Sequence, residues 1–366
     1  MTTSPLILLA AGGTGGHLFP AEALGVELIR RGYRVRLATD ARALRYSGLF
    51  SKDTIDVVPS ATVRSRMPWS LAYTGLMLGY GVVAALNLVR RLKPAAVVGF
   101  GGYPTVPPLI AAKLRGVPGI IHDANAVLGR ANRFLSNRVS AIATSLPGVL
   151  DRDPALAAKT TMVGTPMRPA VLAAAAVPYV APEVNGPLRL LVVGGSQGAR
   201  IMADIVPGAI ERLEPALWSR LVLTQQVRDE DMARVRAVYD RLKIKADLAP
   251  FFTDLPARLA SNHLVVSRSG AGTVAELAAI GRPSILVPLP GAIDQDQFAN
   301  AGVLAKVDGA IRVAQSEFTP DRLAAEISGF AAEPARLGAM AAAAKGAGRL
   351  DAAERLADLV VKVAGI

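Results

Sequence analysis

Twice in this chain an apolar run ends in a glycine turn that opens onto a helical stretch. "LILLAA" leads into "GGTGGH" at residues 12–17, and "RLLVVG" leads into "GGSQGAR" at 194–200. Strand, tight turn and helix in that order require a crossover, so the next strand lies parallel to the first. Further apolar runs at 34–38, 96–100, 119–122, 141–144, 221–224, 264–267 and 284–287 alternate with Ala-rich or amphipathic stretches such as 21–31, 132–135 and 274–280. Strand and helix in regular alternation mean parallel sheets with helices on both faces. The expected fold class is therefore α/β, with two doubly wound parallel-sheet domains that each open on a strand and a glycine turn. Between them "VGTPMRPAVLAAAAVPYVAPEVNGP", residues 163–187, carries five prolines and reads as a linker. The Ala-rich tail from Pro334 onward is expected to be helical.

The 366 residues suffice for two domains of ordinary size, and a hydrophobic content of 51% supplies a sizeable core. The chain has no cysteine, which excludes disulfides, thiolate metal sites and cysteine nucleophiles. Its three histidines, His17, His122 and His263, include no pair at helical ligand spacing. A net charge of +12 favours anionic partners: phosphorylated substrates, an acidic membrane surface or nucleic acid. Nucleic acid is the weakest of these, because no Lys/Arg tract is interleaved with aromatics. The opening "MTTSPLILLAAGG" lacks a basic start and reads as a strand, not a signal peptide.

From Met67 to Val89 no charged residue occurs, while Arg64, Arg66, Arg90, Arg91 and Lys93 flank the stretch. Its length meets the criterion for a membrane span. A buried helix between two strands and a surface helix dipping into a membrane are the other readings. Four polar or glycine positions, Gly75, Gly79, Gly81 and Asn87, weaken the span.

A glycine turn between strand and helix brings backbone N–H groups and the positive end of the helix dipole to an anion. Both turns thus read as phosphate or sugar sites, against the alternative of a tight turn needing positive φ. A third loop, "GFGGYPT" at 99–105, follows the strand "AAVVGF" and can share the first domain's ligand-binding edge. A dinucleotide fingerprint fits poorly: Gly13 and Gly15 match, but Leu18 stands at the third glycine, with Asp40 as a passable ribose acid. "SRSGAGTVAELAAIGRPSILVPLPGAIDQDQFANA", residues 267–301, is the richest stretch. Its "SGAG" turn can receive a diphosphate, and Glu276, one helical turn in, can accept from a ribose diol. Asp294, Asp296 and Gln297 can read sugar hydroxyls; "DQD" also resembles a metal-binding D-x-D.

"GGTGGHLFPA", "GFGGYPT", "HDAN", "VGTPMR", "GGSQGAR" and "SRSGAGTVAE…DQDQFANA" resemble, in order and approximate spacing, the motifs of the MurG family of bacterial transferases. The resemblance covers nearly the whole chain. It implies a GT-B fold of two Rossmann-like domains facing across a cleft: 1–167 plus 350–366 for acceptor and membrane, and 168–349 for the donor. The implied reaction moves N-acetylglucosamine from UDP-N-acetylglucosamine to the undecaprenyl-diphosphate-linked muramyl-pentapeptide, with neither cofactor nor metal. Thr14, Gly15, Gly16 and Asn125 match donor-contacting positions, as do Arg168, Ser196, the backbone at Phe252, and Gln297. Ala271, Gly272, Thr273, Val274, Ala275 and Glu276 match the diphosphate and ribose segment. Gly101, Gly102 and Tyr103 fall on the acceptor side, with Trp69, Leu76, Met77 and Tyr80 as membrane contacts. "HDAN" departs from the family's H-E-x-N, and Asp296 stands where some members carry glutamine or histidine.

His17 is the expected general base, since a helix start disfavours the imidazolium and leaves a proton-accepting ring. Capping the loop or binding an acceptor phosphate is its other reading. The expected site of action is the cytoplasmic face of the inner membrane, held peripherally by anionic lipid, with cell-wall synthesis proteins as further partners. A different GT-B glycolipid transferase and a non-catalytic sugar-nucleotide-binding protein are the competing functions.

Overall fold

A computed structural model describes residues 4–12, 14–41, 50–60, 68–291 and 296–366, with backbone alone for 68–74. The chain divides into two compact units, Met1–Arg168 with Leu350–Ile366, and Pro169–Arg349.

The first unit is built on a seven-stranded sheet: β1 (Leu6–Ala10), β2 (Arg34–Thr39), β3 (Ile55–Val57), β4 (Ala96–Gly99), β5 (Gly119–Asp123), β6 (Ala141–Thr144) and β7 (Thr160–Met162). Their order is β3-β2-β1-β4-β5-β6-β7, every pairing parallel. β1 is buried along its whole length, which is why "LILLA" shows no polar alternation. The order reverses direction at β1, so a crevice opens beyond the carboxyl ends of β1 and β4. The helix Gly15–Arg30 turns Leu18, Ala21, Leu24 and Leu28 to the sheet at three- and four-residue spacing. It stops at Gly32, whose φ of +87° lets the Tyr33 N–H reach back to the Leu28 carbonyl.

The C-terminal helix Ala352–Ala364 joins this unit, burying Leu356, Ala357 and Val360 in the core that holds Leu24 and Leu28. Arg31 fixes it, donating at 2.6 Å to Asp358 and at 3.1 Å to the Glu354 carbonyl. Arg31 and Arg30 both donate to the buried carboxylate of Glu27. The hydrogen bond from Arg30, above all, holds Glu27 down to about 2. A depressed carboxylate stabilises the fold above its ordinary range near 4.5, and that stability is lost as pH falls through about 2. Glu27→Gln should therefore lower the melting temperature at pH 7 and flatten its fall between pH 5 and 2. Acid melting curves that superimpose for variant and wild type would refute this role.

The second unit repeats the plan with β8 (Leu188–Val193), β9 (Leu221–Gln226), β10 (Ala246–Ala249), β11 (Leu264–Ser267), β12 (Ser284–Leu286) and β13 (Ala310–Arg312). The order is β10-β9-β8-β11-β12-β13, again all parallel, with the crevice beyond β8 and β11. The proline-rich stretch is not structureless: Pro169–Ala175 is a helix. Proline is tolerated in a first helical turn, and the alanines after it favour the helix. Val171 and Ala174 are buried on its inner side.

The charge-free segment forms the helix Pro68–Leu92. It is long and apolar enough to cross a membrane by length and composition. It is not a purely buried helix. Ala85, Leu88 and Val89 enter the core, while Leu76, Tyr80 and Val83 are 74%, 63% and 57% exposed. The exposed residues follow one another at i, i+4 and i+7 and so form a single stripe. Gly81 lets the helix approach the chain: a Cβ there would lie 2.1 Å from the Pro59 carbonyl oxygen.

Candidate active site

In the first unit, the crevice at the switch point gathers the first and third glycine loops around His17. The imidazole Nδ1 lies 2.8 Å from the carbonyl oxygen of Phe100. A carbonyl can only accept, so Nδ1 carries the proton and donates. In the neutral ring this leaves Nε2 as the proton-accepting nitrogen. The glycines around the ring have a steric role. A Cβ on Gly12, Gly101 or Gly102 would stand 3.1, 3.2 or 3.4 Å from an imidazole atom. Gly101 and Gly102 also have φ of +92° and +77°. Sequence reading assigned this glycine content to an approaching ligand; at these three positions the imidazole takes the space. Gly16 differs, with none of the described residues within 4 Å of where its Cβ would stand. Thr14 precedes the helix without a side-chain cap, so the first turn at Gly15 and Gly16 keeps its anion-binding character. Tyr103 is half-buried in the short turn Tyr103–Thr105 that follows.

Asn125 sits in the loop after β5, held by the shorter acid of "HDAN". Asp123 is buried and accepts from the Asn125 N–H at 3.0 Å and from its Nδ2 at 3.2 Å. Its other oxygen accepts from the Gly129 N–H at 2.8 Å and Asn132 Nδ2 at 3.0 Å. Aspartate thus closes a local turn that the residues themselves satisfy. His122 is fully buried, with Nε2 at 2.9 Å from the Gly164 carbonyl, and burial pushes its pKa down. It ties β5 to the loop before Arg168 and stays neutral.

Arg168 belongs to the first unit and not, as expected, to the second. Its guanidinium stacks 3.7 Å above the centre of the Phe19 ring, on the helix that carries His17. Such stacking fixes a cation beside the first glycine loop.

In the second unit, the turn after β8 has Gly195 and Gly198 at φ of +88° and +68°, with Ser196 exposed between them. The turn after β11 leads into the helix Ala271–Ile280, whose N-cap Gly270 offers no side chain. Among the described residues, no side chain stands within 4 Å of where a Cβ of Gly270 or Gly272 would lie. Ala271, Gly272, Thr273, Ala275 and Glu276 are half-buried around this open helix start, while Val274 is buried in the interior and only its backbone faces the turn. Arg268, which sequence reading missed, pins the turn from beneath. Nine-tenths buried, it donates to the Val287 and Pro288 carbonyls at 3.1 and 3.0 Å and to Gln315 at 2.6 Å. A charge inside the otherwise uncharged "VVSRSGAG" was its available signal.

Ser269 is also buried and donates to the Gln297 carbonyl at 2.8 Å, joining the two halves of the 267–301 stretch. Gln297 Oε1 accepts from the Leu289 N–H at 3.0 Å. Asp296 accepts from the Gln297 N–H at 2.7 Å and starts the helix Asp296–Ala305. Phe252 is buried beneath the Arg258 guanidinium at 4.3 Å, so only its backbone can meet a ligand. Asp294, Gly13, Arg64 and Arg66 lie outside the described residues, as does the side chain of Trp69.

The chain matches the glycosyltransferase family 28 N-terminal domain over residues 7–144 and the family's C-terminal domain over 189–356. It is 86% identical to a Bradyrhizobium diazoefficiens protein, all of both chains aligned. That protein is named UDP-N-acetylglucosamine–N-acetylmuramyl-(pentapeptide) pyrophosphoryl-undecaprenol N-acetylglucosamine transferase. A Nitrobacter hamburgensis relative of the same name is 78% identical over 100% of this chain and 98% of its own. Among solved structures, that of Acinetobacter baumannii MurG superposes with a TM-score of 0.76 at 27% identity, over 98% of this chain and 99% of that one.

Proposed function

Because this chain belongs to glycosyltransferase family 28 and has the GT-B architecture of two doubly wound parallel-sheet domains, we propose that it transfers N-acetylglucosamine from UDP-N-acetylglucosamine to undecaprenyl-diphosphoryl-muramyl-pentapeptide. Full-length identity of 86% to a relative so named carries the reading. The acceptor's 4-hydroxyl attacks the anomeric carbon in line, its proton passes to His17 Nε2, and the bond to UDP breaks with inversion. The carbonyl of Phe100 supports Nδ1–H as positive charge develops on the ring. Negative charge grows on the departing diphosphate. The open helix start at Gly270–Thr273 is suited to receive it. Glu276 has the reach of a ribose contact, and Gln297 that of a sugar contact. Turnover of UDP-N-acetylglucosamine with the lipid-linked muramyl acceptor is the direct test. Donor hydrolysis without transfer, or transfer to an unrelated glycolipid instead, would overturn the assignment.

The same proposal extends to location. The acceptor's lipid cannot leave the bilayer, so the enzyme must come to the membrane's cytoplasmic face and bind there peripherally. The stripe Leu76, Tyr80 and Val83 supplies apolar surface, with Met77 half-buried beside it. Arg90 and Lys93 lie at the polar end of the helix, each contributing about 1 kcal/mol near an anionic surface. Arg91 contributes less, because it already pairs with Asp56 at 2.9 Å. Leu76→Ser combined with Tyr80→Ser should release the protein from anionic vesicles in flotation assays while UDP affinity holds. High salt should weaken wild-type binding by screening the basic end. A wild-type protein that ignores anionic vesicles, or stays bound through alkali and salt, would refute peripheral attachment.

A further inference from the structure

At the end of β9 the buried side chain of Gln226 spends both amide donors and one acceptor position on two loops. Its Oε1 accepts from the Gly194 N–H at 2.9 Å. Its Nε2 donates at 3.0 Å to the Gly195 carbonyl and at 3.0 Å to the Pro250 carbonyl. The two carbonyls dictate which way the amide faces, since neither can donate. The bonded groups belong to the second glycine turn and to the loop that carries Phe252 two residues later. Glycines provide no side chains with which to hold the turn. Its internal support is the Gly198 N–H bonded to the Gly195 carbonyl at 3.0 Å. The residues next along the chain reinforce the same grip: Val227 N–H donates to the Ala249 carbonyl at 3.0 Å, and the Arg228 stem lies against Gly198.

We infer that Gln226 is a positioning residue for the donor nucleotide, one amide setting the diphosphate-facing glycine turn against the base-facing loop at Pro250–Phe252. The inference rests on the donor reading of this unit. No other side chain of similar size substitutes for the amide. Leucine strands the Gly194 N–H and the Pro250 carbonyl and removes one of the two donors to the Gly195 carbonyl, and a carboxylate sets a second acceptor against both carbonyls.

The test uses Gln226→Leu and the isosteric Gln226→Glu in the full-length protein, with calorimetric titration of UDP and separate KM values for donor and acceptor. At pH 8 both variants should bind UDP about tenfold or more weakly. Donor KM should rise in step while acceptor KM stays within about twofold, a split that general loosening would not produce. The deficit of Gln226→Glu relative to wild type should shrink between pH 8 and pH 6, because a protonated carboxyl donates to one of the two carbonyls. The deficit of Gln226→Leu should stay constant over that range. Folded variants whose UDP affinity stays within about twofold of wild type, or whose acceptor KM rises equally, would overturn the inference. If Gln226→Leu does not fold by circular dichroism, Gln226→Glu alone decides. If neither folds, the residue serves folding and the inference falls. A wild-type protein that does not bind UDP would instead refute the donor reading itself.

Discussion

Replacing His17 by alanine should lower kcat about 100-fold or more with both substrates saturating, while UDP affinity stays within about twofold. The ring is held by the 2.8 Å contact between Nδ1 and the Phe100 carbonyl and by close packing against Gly12, Gly101 and Gly102. Those contacts set both the tautomer and the direction of Nε2. A fixed tautomer matters because a base that must first exchange its proton between nitrogens is out of register with the attacking hydroxyl. Gly101→Ala gives a second view of the same constraint. It forces a side chain at φ +92° and within 3.2 Å of the imidazole, so kcat should fall although His17 is intact. Steady-state kinetics with the lipid-linked acceptor and calorimetry with UDP provide the measurements. A His17→Ala enzyme with near-full kcat would transfer the base role to another group or to solvent.

Gly194→Ala should produce the largest loss on the donor side. A Cβ at this position would lie 2.2 Å from the Ala199 nitrogen and 2.6 Å from the Gly198 carbonyl carbon. Both are backbone atoms, so no side-chain rotation relieves the clash and the turn must open. Overpacking of this kind typically costs about 1–3 kcal/mol of stability. The opened turn also displaces the Gly194 N–H from Gln226 and moves Ser196. UDP affinity should therefore fall about tenfold or more, with a melting temperature lowered by several degrees. Gly272→Ala is the matched control, because none of the described residues comes within 4 Å of its Cβ position and alanine favours the helix. It should leave stability unchanged or improved. Equal UDP affinity in Gly194→Ala and wild type would show that the turn does not contact the donor.

The legibility of the strands follows their place in the sheets. The interior strands were visible as mainly apolar runs, within a residue or two of their ends, because burial on both faces favours apolar side chains, although β2 "RVRLAT" and β8 "LRLLVV" carry exposed arginines near their amino ends. The four strands that the sequence did not reveal, β3, β7, β10 and β13, are the four sheet edges. "IDV", "TTM", "ADLA" and "AIR" are short and half-exposed, so no continuous hydrophobic signal marks them.

The amino-acid order alone determined the two-fold repeat of strand, glycine turn and helix, the parallel sheets, and the presence of His17 and Glu276 beside glycine turns. These are local consequences of hydrophobic pattern and backbone freedom, each confined to a few consecutive residues. Tertiary structure decided what those residues face. The tautomer of His17 depends on a carbonyl 83 residues away, and the space for its ring on Gly101 and Gly102 in another loop. Arg168 was written next to the second domain but stacks on Phe19 of the first. Arg268 and Gln226 carry no motif, because a buried polar side chain is defined by the backbone groups that receive it. Those groups come from strands and loops distant in sequence, and only closure of the sheet brings them within about 3 Å.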